Sequence, residues 1–128
     1  MVDYNQEFLE QKCAEWQEKL RIRNWHIIIQ LVDGPVKYCG QEVHGTADMD
    51  SIYQNAIIRI SKPMNRTRKQ VLNTLFHEII HILLNPLRDI SYDVFKNVGE
   101  GGKSLLDIYN DSEEVIITKL ARMVVGGG

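Results

Sequence analysis

The first regular pattern along the chain is a helical one. Between about Asn5 and Leu20, apolar residues recur at intervals of four, three and four positions, which places them on one side of an α-helix. These residues are Leu9, Cys13, Trp16 and Leu20. Glutamates and lysines fill the opposite side, so we expect a helix that packs on the core and keeps one face in solvent.

Strand patterns follow this helix. Residues 25–32 are rich in β-branched and aromatic side chains and end at the turn signal Asp33-Gly34-Pro35. Residues 43–49 form a less regular strand pattern, and residues 56–60 form a clearer one that ends before Pro63. We expect these last two strands to form a hairpin that turns near residues 50–51.

The second half of the chain predicts two more helices with an irregular stretch between them. One helix should run from about Thr67 to Asn85, because Pro86 cannot continue it. Residues 87–103 contain several glycines and are expected to be irregular, whereas residues 111–125 predict a last helix. The order of helix, strands, helix, loop and helix predicts an α+β fold, with helices packed on a small sheet.

Length, composition and charge narrow the class of protein. The 128 residues fit one domain, 1–128, and 44% hydrophobic with 25% charged residues is typical of soluble globular proteins. A net charge of −2 without a basic stripe argues against a nucleic-acid partner. We find neither a signal peptide nor an apolar run of about 18 residues, so we expect a cytoplasmic monomer without a membrane span. The terminal Gly126-Gly127-Gly128 is expected to fray.

Several residues with chemical potential are expected to be structural only. The chain has two cysteines and no CxxC pair, so we expect no disulfide or redox motif. Cys13 lies on the apolar stripe of the first helix and should be a core residue. His26 lies within a strand pattern and should also be structural. The basic residues that open the second predicted helix should form a solvated face, and these are Arg66, Arg68 and Lys69.

The motif that carries chemistry is the pentapeptide from His77 to His81. A helical wheel with about 100° per residue places His77 and His81 on one face, about 40° apart and roughly opposite the apolar residues. Those apolar residues are Leu72, Leu75, Phe76, Ile79, Ile82 and Leu83. Two imidazoles one helical turn apart can bind a single zinc ion. Glu78 follows the first ligand directly, so it can take a proton from a metal-bound water and return it to a leaving amine.

A catalytic zinc site needs a third protein ligand. No histidine follows His81, and Leu84 and Leu87 stand where the extended pattern HExxHxxGxxH needs Gly and His. The downstream ligand should therefore be a carboxylate.

Glu113 is the preferred carboxylate. It falls near the middle of the apolar face of the last predicted helix, where a carboxylate needs a cation or strong donors beside it. The neighbouring Glu114 lies about 100° away, and with Asp111 as the N-cap it would occupy a capping-box position. The further alternatives are Asp107, Asp111 and Glu100.

The run from Thr74 to Leu84 resembles the active-site helix of the zincin metallopeptidases, and a downstream helix that supplies Glu113 resembles the gluzincin type. The short chain is similar to minimal gluzincins and to small metallopeptidase-like proteins of phages and prophages. The resemblance implies a zincin fold, a zinc cofactor and a peptide or protein substrate. It also implies hydrolysis of peptide bonds, with His77, His81 and Glu113 as zinc ligands and Glu78 as the general base.

The resemblance also implies parts of the site beyond the ligands. An edge strand should bind extended substrate by β-augmentation, and residues 43–49 or 56–60 could form it. Stabilisation of an oxyanion needs a further donor, for which Tyr92, Tyr109 and His44 are candidates. We find no match for the aspartate that supports a ligand in thermolysin-type members.

Two other functions remain as hypotheses. One is a non-enzymatic regulator or binding protein of a mobile element, in which zinc is a structural staple. The other is a metal-dependent nuclease, which the nearly balanced charge disfavours.

Overall fold

The computed structural model describes residues 3–99 and 101–125, and within them the chain forms four helices and five strands. The elements, in chain order, are α1 (Gln6–Lys19), β1 (His26–Val32), β2 (Val36–Tyr38), β3 (Gln41–Val43), β4 (Gly45–Asp50), β5 (Asn55–Ser61), α2 (Arg68–Leu83), α3 (Asn85–Lys96) and α4 (Gly102–Val125). The predicted α+β class is confirmed. Glu100 and the predicted fraying of residues 126–128 lie outside the described residues.

The larger sheet has the strand order β1-β5-β4 within the described part of the chain. Strand β1 is parallel to β5, with Ile29 opposite Ile58, and β4 is antiparallel to β5. Strands β4 and β5 form the predicted hairpin, with residues 51–54 as its turn. Residues 56–60 therefore lie in the central strand, so the hypothesis that they form a substrate-binding edge is wrong, and β4 lies at an edge instead.

A second, two-stranded hairpin of β2 and β3 was not predicted from the sequence. Its turn residues Cys39 and Gly40 have φ angles of 53° and 80°, the positive values that a two-residue hairpin turn requires. Strands of three residues each leave no alternation to detect, which is why the pattern was missed.

The main core lies between the sheet and helices α1 and α2. Cys13 is buried in it, which confirms its predicted place, and both cysteines are free thiols in the described structure. Gln6 at the start of α1 donates from Nε2 to the carbonyl oxygen of Ile29 at 2.6 Å and so covers part of β1. His26 is exposed at the first position of β1, so burial does not support a structural role for it.

Helix α2 begins with a capping box formed by Thr67 and Gln70, close to the predicted start. Four of the six residues predicted for its apolar face are buried, Leu72 and Leu83 are partly exposed, and the basic residues of its first turn are exposed. Pro86 ends the pattern of α2 but does not end helical structure. It occupies the first turn of α3, where its missing N–H leaves no hydrogen bond unmade.

The prediction of an irregular stretch over residues 87–103 is wrong, because α3 covers most of it. Helix α4 also begins at Gly102 rather than near Asp111. A Cβ atom at residue 102 would lie 1.9 Å from the carbonyl oxygen of Phe95, so glycine is required there for the close approach of α3 and α4. No helix in the described ranges combines the length and apolar content needed to cross a bilayer.

Candidate metal centre

The packing of α4 on α2 determines which polar groups meet. Phe76 and Ile80 of α2 form a small apolar cluster with Ile117 and Ala121 of α4. His77 directly follows Phe76, and His81 directly follows Ile80. Glu113 lies one helical turn before Ile117. The apolar contact therefore brings two histidines and the middle of α4 together.

Two imidazole nitrogens converge on one carboxylate, that of Glu114. Nε2 of His77 lies 3.1 Å from Oε2 of Glu114, and Nε2 of His81 lies 2.7 Å from Oε1 of the same group. The two rings face each other edge-on, with centroids 5.0 Å apart. Among the described residues these three side chains form a group whose donor atoms lie within 4.8 Å of one another and could hold a metal ion.

Glu113, the carboxylate preferred from the sequence, does not belong to this group. Its side chain is only 4% exposed, as the helical wheel predicted, but its Oε1 accepts a hydrogen bond from Nδ1–H of His81 at 2.8 Å. The wheel identified the buried carboxylate correctly and could not show which face of the imidazole it would meet. Glu114, one residue further along α4, reaches the Nε2 side of both rings.

The capping-box explanation of Glu114 also fails. Since α4 begins at Gly102, Asp111 lies inside the helix and cannot be its N-cap. Asp111 lines the groove beside the group without joining it, and Asp107 is exposed on α4.

Hydrogen bonds within the site shift the pKa values of Glu114 and His81 in opposite directions. Hydrogen bonds from His77 and then His81 hold the pKa of Glu114 far below its usual range, although partial burial acts in the opposite direction. Burial acts to lower the pKa of His81, but its hydrogen bonds to Glu114 and Glu113 and the charge of Glu78 outweigh burial and raise it. The pocket between α2 and α4 therefore favours a positive charge.

Glu78 lies beside the group but is not part of it. Its side chain lines the same groove, and the residue is 7% exposed. Burial raises the pKa of Glu78 to about 7, while the nearby His77 and His81 act to lower it. A carboxyl that titrates near neutral pH can accept and release a proton there.

Two further polar side-chain atoms of α4 are buried. The buried atoms Oε2 of Glu113 and Oη of Tyr109 have no hydrogen-bond partner among the described residues. Burial, with a contribution from the charge of Glu113, raises the pKa of Tyr109 to about 12. Neither Tyr109 nor Tyr92 lines the groove, whereas His44 does, so His44 is the only one of the three predicted oxyanion donors found there.

The group opens into a groove of about 1010 Å³. Its walls are α2, the first turn of α3, the middle of α4, the β2–β3 hairpin and the sheet strands β4, β1 and β5. Strand β4 approaches α2 closely at Gly45, where a Cβ atom would lie 2.8 Å from Cγ2 of Thr74 and 3.8 Å from Cγ of Glu78. The absence of a side chain at residue 45 thus lets an edge strand lie directly beside Glu78.

A buried polar network holds β4 and α2 together, and sequence reasoning missed its centre. Asn65 is fully buried and donates from Nδ2 to the carbonyl oxygens of His44 and Ser61 at 3.0 and 2.7 Å. Thr74 of α2 donates to Oδ1 of Asn65 at 2.6 Å, and the Tyr4 hydroxyl donates to its carbonyl oxygen. A single Asn in a turn carries no sequence signal that would have marked it.

The residues present fit a divalent metal ion. Two imidazoles and one carboxylate are a donor set that zinc accepts, and a carboxylate on the remaining N–H of a ligand histidine is a recurrent support in such sites. Comparisons with protein-family models, curated proteins and solved structures found no match to this chain.

Proposed function

We propose that this protein is a zinc-dependent peptidase. His77, His81 and Glu114 are the zinc ligands, Glu78 is the general base, and Glu113 orients His81. The observation that carries the proposal is the convergence of three donor side chains beside a buried carboxyl that stays outside their group. This revises the ligand set expected from the resemblance to gluzincins by one residue.

Zinc suits this donor set better than a hard cation does, because two of the three donors are imidazole nitrogens, which zinc binds through their lone pairs. Bound zinc supplies Lewis acidity, which lowers the pKa of water and polarises a carbonyl oxygen. Among the described residues no fourth ligand side chain completes the group, as expected of a site that keeps one position open.

Glu78 is placed to move the proton. Its carboxyl lies in the groove with a pKa of about 7, so in its ionised form it can accept a proton from the attacking water. A positive charge bound next to it favours that ionised form. The protonated carboxyl can then deliver its proton to the leaving nitrogen.

The groove offers an extended peptide a place to bind. Strand β4 lies at an edge of the described sheet and lines the groove beside Glu78. An edge strand presents unpaired N–H and C=O groups that can pair with an extended chain. We infer that the substrate lies along β4, as in a zincin, and that His44, directly before this strand, is the oxyanion donor.

The alternative of a structural zinc has less support. Structural zinc sites have four protein ligands and are closed to solvent. Here the Glu114 side chain is 54% exposed and the group opens into a groove.

The test is the hydrolysis of peptides by Glu78→Gln. We expect the rate to fall by about 100-fold or more, because general base catalysis is lost, while zinc binding is retained. Glu18→Gln, an exposed change on α1 outside the groove, is the matched control and should behave like the wild type. Full hydrolysis by a zinc-loaded Glu78→Gln protein would refute the proposal.

A further inference from the structure

The charged side chains that line the groove are unevenly paired. Of the five acids, Asp48 forms an ion pair with Arg59, Glu114 contacts both histidines and Glu113 contacts His81, whereas Glu78 and Asp111 form no ion pair with a described residue. Among the cations, Lys37 and Arg88 line the groove and form no ion pair with any described residue. Most of the negative charge is thus engaged within the protein, while two cations remain available to a ligand.

Arg88 is held in a defined place. It lies in the first turn of α3, half-buried, and its guanidinium carbon is 5.8 Å from the centroid of the Tyr92 ring. The α2–α3 joint is fixed by the buried Asn85, whose Oδ1 accepts a hydrogen bond from Oγ of Ser51 at 2.9 Å. An arginine fixed in this way loses little side-chain entropy when it binds.

Arg88 lines the same groove as the candidate metal group of His77, His81 and Glu114. Its charge interacts with that of Glu113, which in turn bonds to His81, yet the two charges do not form an ion pair. Lys37 is exposed on β2, in the hairpin that forms another wall of the groove. A ligand that binds at His77, His81 and Glu114 and extends along the groove would therefore have a half-buried guanidinium and an exposed ammonium among the groups that line its site.

We propose that Arg88, assisted by Lys37, forms a subsite that binds a carboxylate of the substrate next to the scissile bond. The planar guanidinium presents its donors in a fork that matches the two oxygens of a carboxylate. The carboxylate comes either from an Asp or Glu side chain or from the C-terminus of the peptide. This inference rests on the proposed peptidase function and names the substrate class that the same groove selects.

The test uses blocked fluorogenic peptides that differ only by Glu or Gln at successive positions around the cleaved bond. A second pair of neutral peptides differs only by a free or an amidated C-terminus. We expect kcat/KM to be about tenfold higher for the carboxylate member of one pair, because a charge-assisted hydrogen bond is worth that much. The pair that shows the preference identifies the source of the carboxylate, and equal values in both pairs would overturn the subsite.

Variants identify the residue responsible. In Arg88→Gln the preference should fall to near onefold, and Arg88→Lys should restore part of it through charge alone. Arg23→Gln, an exposed change outside the groove, should keep the full preference. Zinc affinity is measured in parallel. If Arg88→Gln keeps the preference, the subsite is refuted. If Arg88→Gln loses zinc binding, Arg88 supports the charge of Glu113 and the subsite is likewise refuted.

A binding measurement separates this inference from the peptidase proposal. Fluorescence anisotropy with zinc-loaded Glu78→Gln reports peptide binding without turnover, and the carboxylate peptides should again bind about tenfold more tightly. If the wild type cleaves no peptide but this preference is present, the peptidase proposal fails and the subsite stands. If peptides are cleaved but neither cleavage nor binding shows the preference, the peptidase proposal stands and the subsite fails.

Discussion

Two neighbouring glutamates on α4 meet different nitrogens of the same ring. Glu114 faces Nε2 of both histidines, and Glu113 accepts the Nδ1–H of His81. A carboxylate on Nδ1 fixes the ring and the tautomer in which Nε2 carries the lone pair that a metal needs. The two residues should therefore contribute to metal binding through different routes.

Substitution of each glutamate should weaken zinc binding to a different extent. Glu113→Gln keeps the ligand set but loses the charged partner of His81, so we expect a loss of about 10- to 100-fold in zinc affinity. Glu114→Gln removes a ligand and should cost more than Glu113→Gln does. The measurement is competition for zinc with a chelator of known affinity.

The matched control for both changes is Asp107→Asn, which alters an exposed acid of the same helix. It should bind zinc as the wild type does. If Glu113→Gln binds zinc more weakly than Glu114→Gln, the roles assigned to these residues are reversed.

At the scale of elements, the site depends on how closely β4 approaches α2. Gly45→Ala would place a methyl group 2.8 Å from Cγ2 of Thr74 and 3.0 Å from the carbonyl oxygen of Arg59. Relief requires β4 and α2 to separate, so we expect the free energy of unfolding to fall by about 1–3 kcal/mol. Urea denaturation measures this change.

Gly34→Ala is the matched control, because a Cβ atom there would meet nothing within 4 Å. It should change the unfolding free energy by less than about 0.5 kcal/mol. Equal stability of the Gly45→Ala and wild-type proteins would show that the two elements are further apart than described.

Sequence patterns predicted the elements whose periodicity is strong. The helical stripe of α1, the strand β1, the β4–β5 hairpin and the capped start of α2 are all found close to their predicted positions. Helix α3 does not follow from the pattern, because Pro86 predicts the end of a helix, although proline is also tolerated at the first turn of a helix. The early start of α4 does not follow from the pattern either, because glycines near residue 102 are typical of a loop. Only the structure shows that Gly102 is needed for the close approach of the Phe95 carbonyl oxygen.

The sequence predicts the part of the candidate site that lies on a single helix. His77, Glu78 and His81 share α2, so their spacing alone placed them together. The choice between Glu113 and Glu114 depends on the rotation and axial position of α4 relative to α2. The sequence pattern of one helix holds no information about this packing. The groove and its unpaired cations arise from eight different helices and strands and have no counterpart in local sequence.

At the scale of the whole molecule, we expect metal binding and folding to be separable. The main core packs α1 and α2 on the sheet without any contribution from the metal group. We expect chelation of the metal to leave a cooperative folded state with native helix content. Zinc should add stability by mass action, about 2.7 kcal/mol at a free concentration of 100 times Kd.

Thermal unfolding followed by circular dichroism, with and without EDTA, measures this effect. We expect a lower Tm in EDTA and an unchanged spectrum at room temperature. Collapse of the helical signal on chelation would identify the ion as a structural staple and favour the non-enzymatic alternative.

The most direct test of the account is the zinc content of the purified protein after dialysis, compared between the wild type and His81→Ala. The account predicts about one zinc ion per chain in the wild type, the same in the surface control His26→Ala, and almost none in His81→Ala. A wild-type protein that retains no zinc, or a His81→Ala protein that retains it fully, would contradict the account.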